Sequence, residues 1–145
     1  MVKKYKIITI ILKNGWYTMM VISNLKVLIS DDSILVRKQF IDMLTSMGCT
    51  NIFNASNGQD AIDMYKENNP DLVFMDIIMP VKSGIEALKE ITNFNPKAKV
   101  VIASSAVTQN YLKLAIEAGA YDFLQKPISV DHIKRIIDKV IKDGE

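Results

Sequence analysis

Four consecutive apolar residues, Leu72 to Met75, run straight into a carboxylate, Asp76. A strand that is apolar on both faces must be covered on both faces, so this run belongs in the middle of a sheet between two helical layers. Three other apolar runs end in the same way. Val27-Leu28-Ile29 leads into Ser30-Asp31-Asp32, Val100 to Ala103 into Ser104-Ser105, and Phe123-Leu124 into Gln125-Lys126-Pro127. Each run brings its reactive side chains to its carboxyl end, the edge where open α/β sheets bind ligands.

Helical patterns separate the runs. Ser33 is a candidate cap, followed by Val36, Phe40, Met43, Leu44 and Met47 at helical spacing, with Gly48 as the stop. A weaker strand, Ile52 to Ala55, precedes a helix carrying Ala61, Ile62 and Tyr65 that ends at Asn68-Asn69-Pro70. After the loop Pro80 to Gly84, Ile85, Leu88 and Ile91 mark a third helix. Leu112, Ala115 and Ile116 mark a fourth, stopped at Gly119, and a short strand is expected over Tyr121 to Leu124. The last helix shows Ile133, Ile136, Ile137, Val140 and Ile141 on one face. Strands alternating with helices predict an α/β fold, a doubly wound, five-stranded parallel sheet with helices on both faces. The first, third and fourth runs are continuously apolar and therefore central, and the second and fifth are edges. Right-handed crossovers then favour the order 2-1-3-4-5, with the reversal between strands one and three.

The chain has 145 residues, consistent with a single domain and its own core. The expected organisation is an extension over residues 1–23 and one domain over 24–145. The extension reads as a β-hairpin around Asn14-Gly15, a loosely attached tail, or leader coding upstream of a start at Met19 or Met20. The net charge of +2 conceals an asymmetry. Lys3, Lys4, Lys6 and Lys13 fall in the extension, which leaves 14 of the 18 basic residues against all 16 acidic ones (18 minus 4 for the extension). That balance argues against nucleic acid as a partner. The apolar run Ile7 to Leu12 is far too short for a membrane span, and no small-residue cleavage site follows it. The single cysteine, Cys49, has no internal partner for a disulfide and reads as a small buried hydrophobe. His132, the only histidine, reads as a surface or capping residue at the start of the last helix.

With that topology, Asp31, Asp32 and Asp76 meet in one crevice. Close carboxylates raise one another's pKa unless something offsets them. A divalent cation does so naturally, and an oxygen-rich site with few protein ligands suits Mg²⁺. Lys126 adds a positive charge at the same edge, and Ser104 adds a hydroxyl. Such a set can stabilise a phosphoryl group in transit, with Asp76 as covalent acceptor.

Asp31-Asp32-Ser33, Asp76-Ile77-Ile78-Met79-Pro80, Ser104, Ala118-Gly119-Ala120 and Lys126-Pro127 together resemble the receiver domain of two-component response regulators, over about residues 25–142. The resemblance implies a flavodoxin-like (CheY-like) sheet and a phosphoryl group taken by Asp76 from a phosphohistidine on a sensor histidine kinase. It implies Mg²⁺ held by Asp32, Asp76 and the backbone carbonyl of Ile78, with Asp31 acting through water. Lys126 pairs with Asp76 and then with the phosphoryl group, Ser104 and Phe123 form the switch, and the Lys126–Pro127 bond is cis. Four positions depart from the family's usual pattern. Ser83 stands where an Asp commonly precedes Gly84, and Ser105 replaces the usual Ala, although spacing back from Gly119 favours Ser104 as the switch. Ile78 and Ala106 are apolar where relatives often carry polar groups near the attacking water, which implies a longer phosphorylated lifetime.

The runs Ile85 to Ile91 and Ala118 to Phe123 resemble chemotaxis regulators of the CheY kind. That implies a cytoplasmic, monomeric response regulator of chemotaxis. Its kinase would be a chemotaxis kinase, and its output would be binding to a motor switch or an adaptor. No DNA-binding or enzymatic output domain is expected after the fifth helix, and the only catalysis expected is the chain's own phosphorylation and dephosphorylation. The alternative is a phosphorelay intermediate that passes the group to a His-containing transfer protein. Two other classes fit less well. An Asp-nucleophile phosphatase normally needs a second Asp two residues on, where this chain has Ile78, and a flavin or nucleotide binder needs a Gly- or Ser/Thr-rich loop where Asp31-Asp32 stand.

Overall fold

The computed structural model describes residues 22–106 and 108–144. The expected hairpin or tail of the extension lies outside the described residues. Five parallel strands are present: β1 (Lys26–Ser30), β2 (Asn51–Ala55), β3 (Leu72–Met75), β4 (Val100–Ser104) and β5 (Asp122–Gln125). They lie in the order β2-β1-β3-β4-β5, as the burial argument predicted. Val27 pairs with Leu72, Val73 with Val100, and Val101 with Asp122, so β1, β3 and β4 are internal, and all their residues except the exposed Lys26 at the start of β1 are buried.

Helices α1 (Ile34–Ser46), α2 (Gly58–Asn68), α3 (Gly84–Phe94), α4 (Gln109–Glu117) and α5 (Val130–Asp143) connect and flank the strands. Each begins with a side chain that accepts a bond from its first turn: Ser33 from Val36, Asn57 from Asp60, Ser83 from Glu86, Thr108 from Tyr111 and Ser129 from His132. These caps satisfy amides that have no partner inside the helix. At α5, His132 also accepts from the Ser129 amide and completes a reciprocal box.

The sheet divides the core in two. On one face Phe40 and Leu44 of α1 and the isoleucines of α5 pack on Val27, Ile29, Phe74 and Val101. On the other, Ile62 and Tyr65 of α2 and Leu88 and Ile91 of α3 pack on Leu28, Val73, Met75 and Ile102. Alternate residues of each internal strand serve opposite layers, which is why those runs are continuously apolar. Cys49 is buried, and its thiol lies 3.7 Å from the Leu25 carbonyl.

Two elements differ from expectation. β5 starts at Asp122, one residue later than expected, although the Tyr121 amide already donates to the Val100 carbonyl at 2.8 Å; the Tyr121 ring lies against Lys139 and Lys99 and its hydroxyl bonds Asp143. In α4 the expected stripe is out of phase. Ala115 is buried, but Leu112 and Ile116 are exposed, and Tyr111 and Leu114 face the core instead. A stripe drawn through 111, 114, 115 and 118 has the same period but is turned by about 100°, one residue's rotation, and because both stripes are apolar and share Ala115 the spacing alone could not separate them. Among the described residues, no helix is long and apolar enough to cross a membrane.

Candidate functional site

The site lies at the carboxyl edge where β1 and β3 are neighbours and the strand order reverses. β1 ends at Ser30 and hands Asp31 to the edge. The Asp31 amide bonds the Ala55 carbonyl of β2 at 3.1 Å, and the Asp76 amide bonds the Ser30 carbonyl at 2.9 Å. The sheet ladder therefore fixes the backbone of both acids. Carboxylate oxygens of Asp31, Asp32 and Asp76 come within 4.8 Å of one another. Asp31 is buried, Asp76 almost so, and Asp32 is exposed.

Lys126 follows β5 and crosses to this cluster. It makes an ion pair with Asp31, and its ammonium stands 3.6 Å from Asp76. The side chain expected to pair with Asp76 is thus shared, with Asp31 as the nearer partner. The Lys126–Pro127 bond is cis. Burial pushes the Asp76 carboxyl above its ordinary range. Lys126 opposes that, Asp31 adds to it, and the Ile77 amide and the Ser104 hydroxyl pull it back. One ammonium facing three carboxylates leaves a net negative crevice, and Asp32 has no ion-pair or hydrogen-bond partner among the described residues. An all-oxygen set with one free, solvent-facing carboxylate fits a hard divalent cation such as Mg²⁺, which keeps several of its waters.

Ser104 ends β4 and is 1 % exposed, whereas Ser105 is exposed. Of the two adjacent serines, only Ser104 is turned in, towards Asp76, and its oxygen accepts a bond from the Ala106 amide at 3.2 Å. Phe123 is half-buried on β5, against the α2–α4 side of the core. The Ile78 side chain points to solvent. With Ile34, Leu35 and Val81 it contributes exposed apolar surface to the loops at this edge.

Sequence reasoning missed the residues that hold the loops. Gly84 is the first residue of α3, and a Cβ there would lie 1.9 Å from the Asp76 carbonyl oxygen. Its amide donates to the Ile77 carbonyl at 2.7 Å, so the helix start is pressed against the backbone of Asp76 and Ile77. Gly58 is excluded from carrying a side chain in the same way by the Lys82 carbonyl. Arg37 donates to the Asp31 carbonyl at 2.7 Å. Gly84 had a visible signal, a glycine four residues beyond a proline at a helix start. Arg37 had none, because its acceptor is backbone.

A model of the response regulator receiver domain matches residues 27–138. The chemotaxis protein CheY of Thermotoga maritima is 40% identical over 117 residues, which cover 81% of this chain and 98% of that protein. The CheY of Bacillus subtilis is 40% identical over 116 residues, 80% of this chain and 97% of that protein. Among solved structures, a CheX–CheY–BeF3–Mg²⁺ complex from Borrelia burgdorferi contains a chain with a TM-score of 0.76 and 33% identity. That match covers 80% of this chain and 88% of the other.

Proposed function

Because the chain belongs to the response regulator receiver domain family, we propose that Asp76 accepts a phosphoryl group from a sensor histidine kinase and that the modified chain signals by binding a protein partner in chemotaxis. The observation that carries this reading is the convergence of three carboxylates, Lys126 and the buried Ser104 at the edge of the sheet. In the transfer, an Asp76 carboxylate oxygen forms a bond to phosphorus as the bond from phosphorus to the kinase imidazole nitrogen breaks. The product is an acyl phosphate, and the imidazole leaves with the bonding electron pair. Asp32, Asp76 and the Ile78 carbonyl would hold Mg²⁺, whose chemistry is to neutralise charge on the phosphoryl oxygens. Lys126 supplies a second positive charge to those oxygens, and the Ser104 hydroxyl supplies a hydrogen bond. Hydrolysis by water returns the carboxylate and free phosphate.

The receiver is a signalling domain, and the proposed catalysis is limited to its own phosphorylation and dephosphorylation. The proposed kinase is a chemotaxis kinase, met in the cytoplasm by a monomeric chain. The proposed downstream partner is a motor switch or an adaptor, bound without nucleic acid. The exposed apolar residues of the α1 start and the β3–α3 loop support docking of a protein beside Asp76. The proposed domain is residues 24–145, with Ile22 packing into its core from just before that boundary. A phosphorelay intermediate is the second reading. It is favoured by the apolar Ile78 and Ala106, which suit a group stored rather than hydrolysed.

The test is intact mass after incubation with acetyl phosphate and Mg²⁺, for wild type and Asp76→Ala. One phosphoryl group on the wild type alone, absent when chelator is present from the start, is the expected result. Equal modification of both proteins would place the acceptor elsewhere. Transfer onward to a His-containing transfer protein, faster than binding to any motor component, would favour the relay.

A further inference from the structure

We propose that Arg37 is a positioning residue for the acidic site: its guanidinium clamps the Asp31–Asp32 peptide and so sets where Asp32 presents its carboxylate to a divalent cation. The proposal rests on the reading of the carboxylate cluster as a Mg²⁺ site. Arg37 Nη1 donates a 2.7 Å hydrogen bond to the Asp31 carbonyl oxygen. That oxygen belongs to the peptide unit that contains the Asp32 nitrogen. A peptide is planar, so holding its oxygen holds the plane and the Cα of Asp32 that lies in it.

The surrounding contacts make this bond decisive for Asp32. Asp31 is anchored at every other polar atom. Its amide donates to Ala55 at 3.1 Å, its Oδ1 accepts from the Ser33 amide at 2.9 Å, and its Oδ2 pairs with Lys126. Asp32 is exposed and has neither a hydrogen bond nor an ion pair among the described residues. Its aim therefore depends on the peptides on either side of it. Ser33, on the far side, is the cap of α1, and Arg37 stands one turn inside that helix, its own amide on the Ser33 carbonyl at 3.0 Å. The half-buried guanidinium thus ties the helix back across the turn that carries both acids. Losing a partner that orients a metal-ligating group typically costs about 10–100-fold in metal affinity.

Charge and clamp predict opposite signs. A cation near carboxylates repels Mg²⁺, so if Arg37 acted only through charge its removal would tighten Mg²⁺ binding. If it acts as a clamp, its removal weakens binding. Calorimetric Mg²⁺ titration of wild type, Arg37→Met, Arg37→Lys and Asp32→Ala separates the two. Expected are measurable binding by wild type, loss in Asp32→Ala, and affinity about tenfold weaker in Arg37→Met. Arg37→Lys, with the charge but without the planar donor fork, should fall between. At saturating Mg²⁺, Arg37→Met should take the phosphoryl group from acetyl phosphate within about twofold of the wild-type rate, the split that a merely misfolded protein would not give. Affinity in Arg37→Met equal to or tighter than wild type would overturn the proposal, as would a rate deficit that saturating Mg²⁺ does not repair. If Arg37→Met fails to fold, Arg37→Lys decides the matter, and unaltered affinity there would overturn the clamp. A wild type that binds no Mg²⁺ would bring down the metal-site reading and the clamp with it, whereas binding by wild type with unchanged Arg37 variants would bring down the clamp alone.

Discussion

Ile78, two residues beyond Asp76, is 58% exposed and its side chain has no atom that can orient a water. Ala106, on the other side of Ser104, is equally unable to do so. On the proposed function, attack of water on an acyl phosphate at Asp76 would then find no side chain at 78 or 106 to orient it. Replacing Ile78 with Asn offers one hydrogen bond to that water, worth about 1 kcal/mol net, or about fivefold in rate. The expected outcome is a phosphorylated lifetime shortened by that factor, followed by intact mass after removal of the donor. An unchanged or longer lifetime would count against this account. Individual residues of the site were legible wherever they ended a strand. Asp31, Asp76, Ser104 and Lys126 stand at predicted strand ends, and a parallel sheet brings such ends together whatever the loops do. Arg37 was not legible, since a guanidinium on a backbone carbonyl leaves no mark in residue types.

Among the elements, the β3–α3 loop departs most from relaxed geometry. Val81 sits at φ 68°, a left-handed conformation that costs a β-branched residue about 1–2 kcal/mol. Its side chain is exposed, so little packing compensates. Val81→Gly should therefore raise stability by about 1 kcal/mol, after the entropy that glycine adds to the unfolded chain. Chemical denaturation checks this, and a loss of stability would mean that the Val81 side chain holds the loop. A second element-scale prediction concerns the junction where Arg135 and Lys139 of α5 meet Asp122 at the start of β5. Burial opposes the charge on Asp122, but the Phe123 amide, Arg135 and Lys139 more than offset that and hold its carboxyl below the usual range. The folded state then binds fewer protons than the unfolded one across the acid range. The stability that Asp122 contributes is present above the ordinary carboxylate value and is lost as pH falls through the folded one. At neutral pH, Asp122→Asn should melt below wild type, and the gap in melting temperature should close as the pH drops below about 4. A gap independent of pH would show that the charge is not what stabilises the junction. Element types were readable because caps, stops and apolar periods agreed with one another. The phase of α4 was not, because a helix with apolar residues at 111, 112, 114, 115 and 116 supports two rotations, and only its neighbours choose between them.

For the whole molecule, the two-layer core determines how far a change at Asp76 can travel. Ser104 ends β4 next to Asp76, and its neighbour across the β4–β5 ladder is Gln125, two residues beyond Phe123. Phe123 packs into the α2–α4 layer, the same cluster that receives Tyr111 and Leu114 from α4. Interiors are close-packed, so a ring that moves on β5 forces these α4 side chains to move with it. The α1–α5 layer lies across the sheet and takes Leu124 from β5. A phosphoryl mimic such as beryllofluoride with Mg²⁺ should therefore perturb amide resonances in the site loops, β5 and α4, and leave β2 and the buried face of α1 near their starting positions. The exposed Leu112 and Ile116 make the response of α4 consequential, since they offer apolar surface whose arrangement a partner could read. Removing the ring should uncouple the two ends: in Phe123→Ala the mimic should still shift the loops around Asp76, while the α4 response shrinks to a small fraction of the wild-type one. An α4 response of full size in that variant would show that the signal crosses the sheet by another route, and the backbone linking Ser104 to the start of α4 would be the next segment to test.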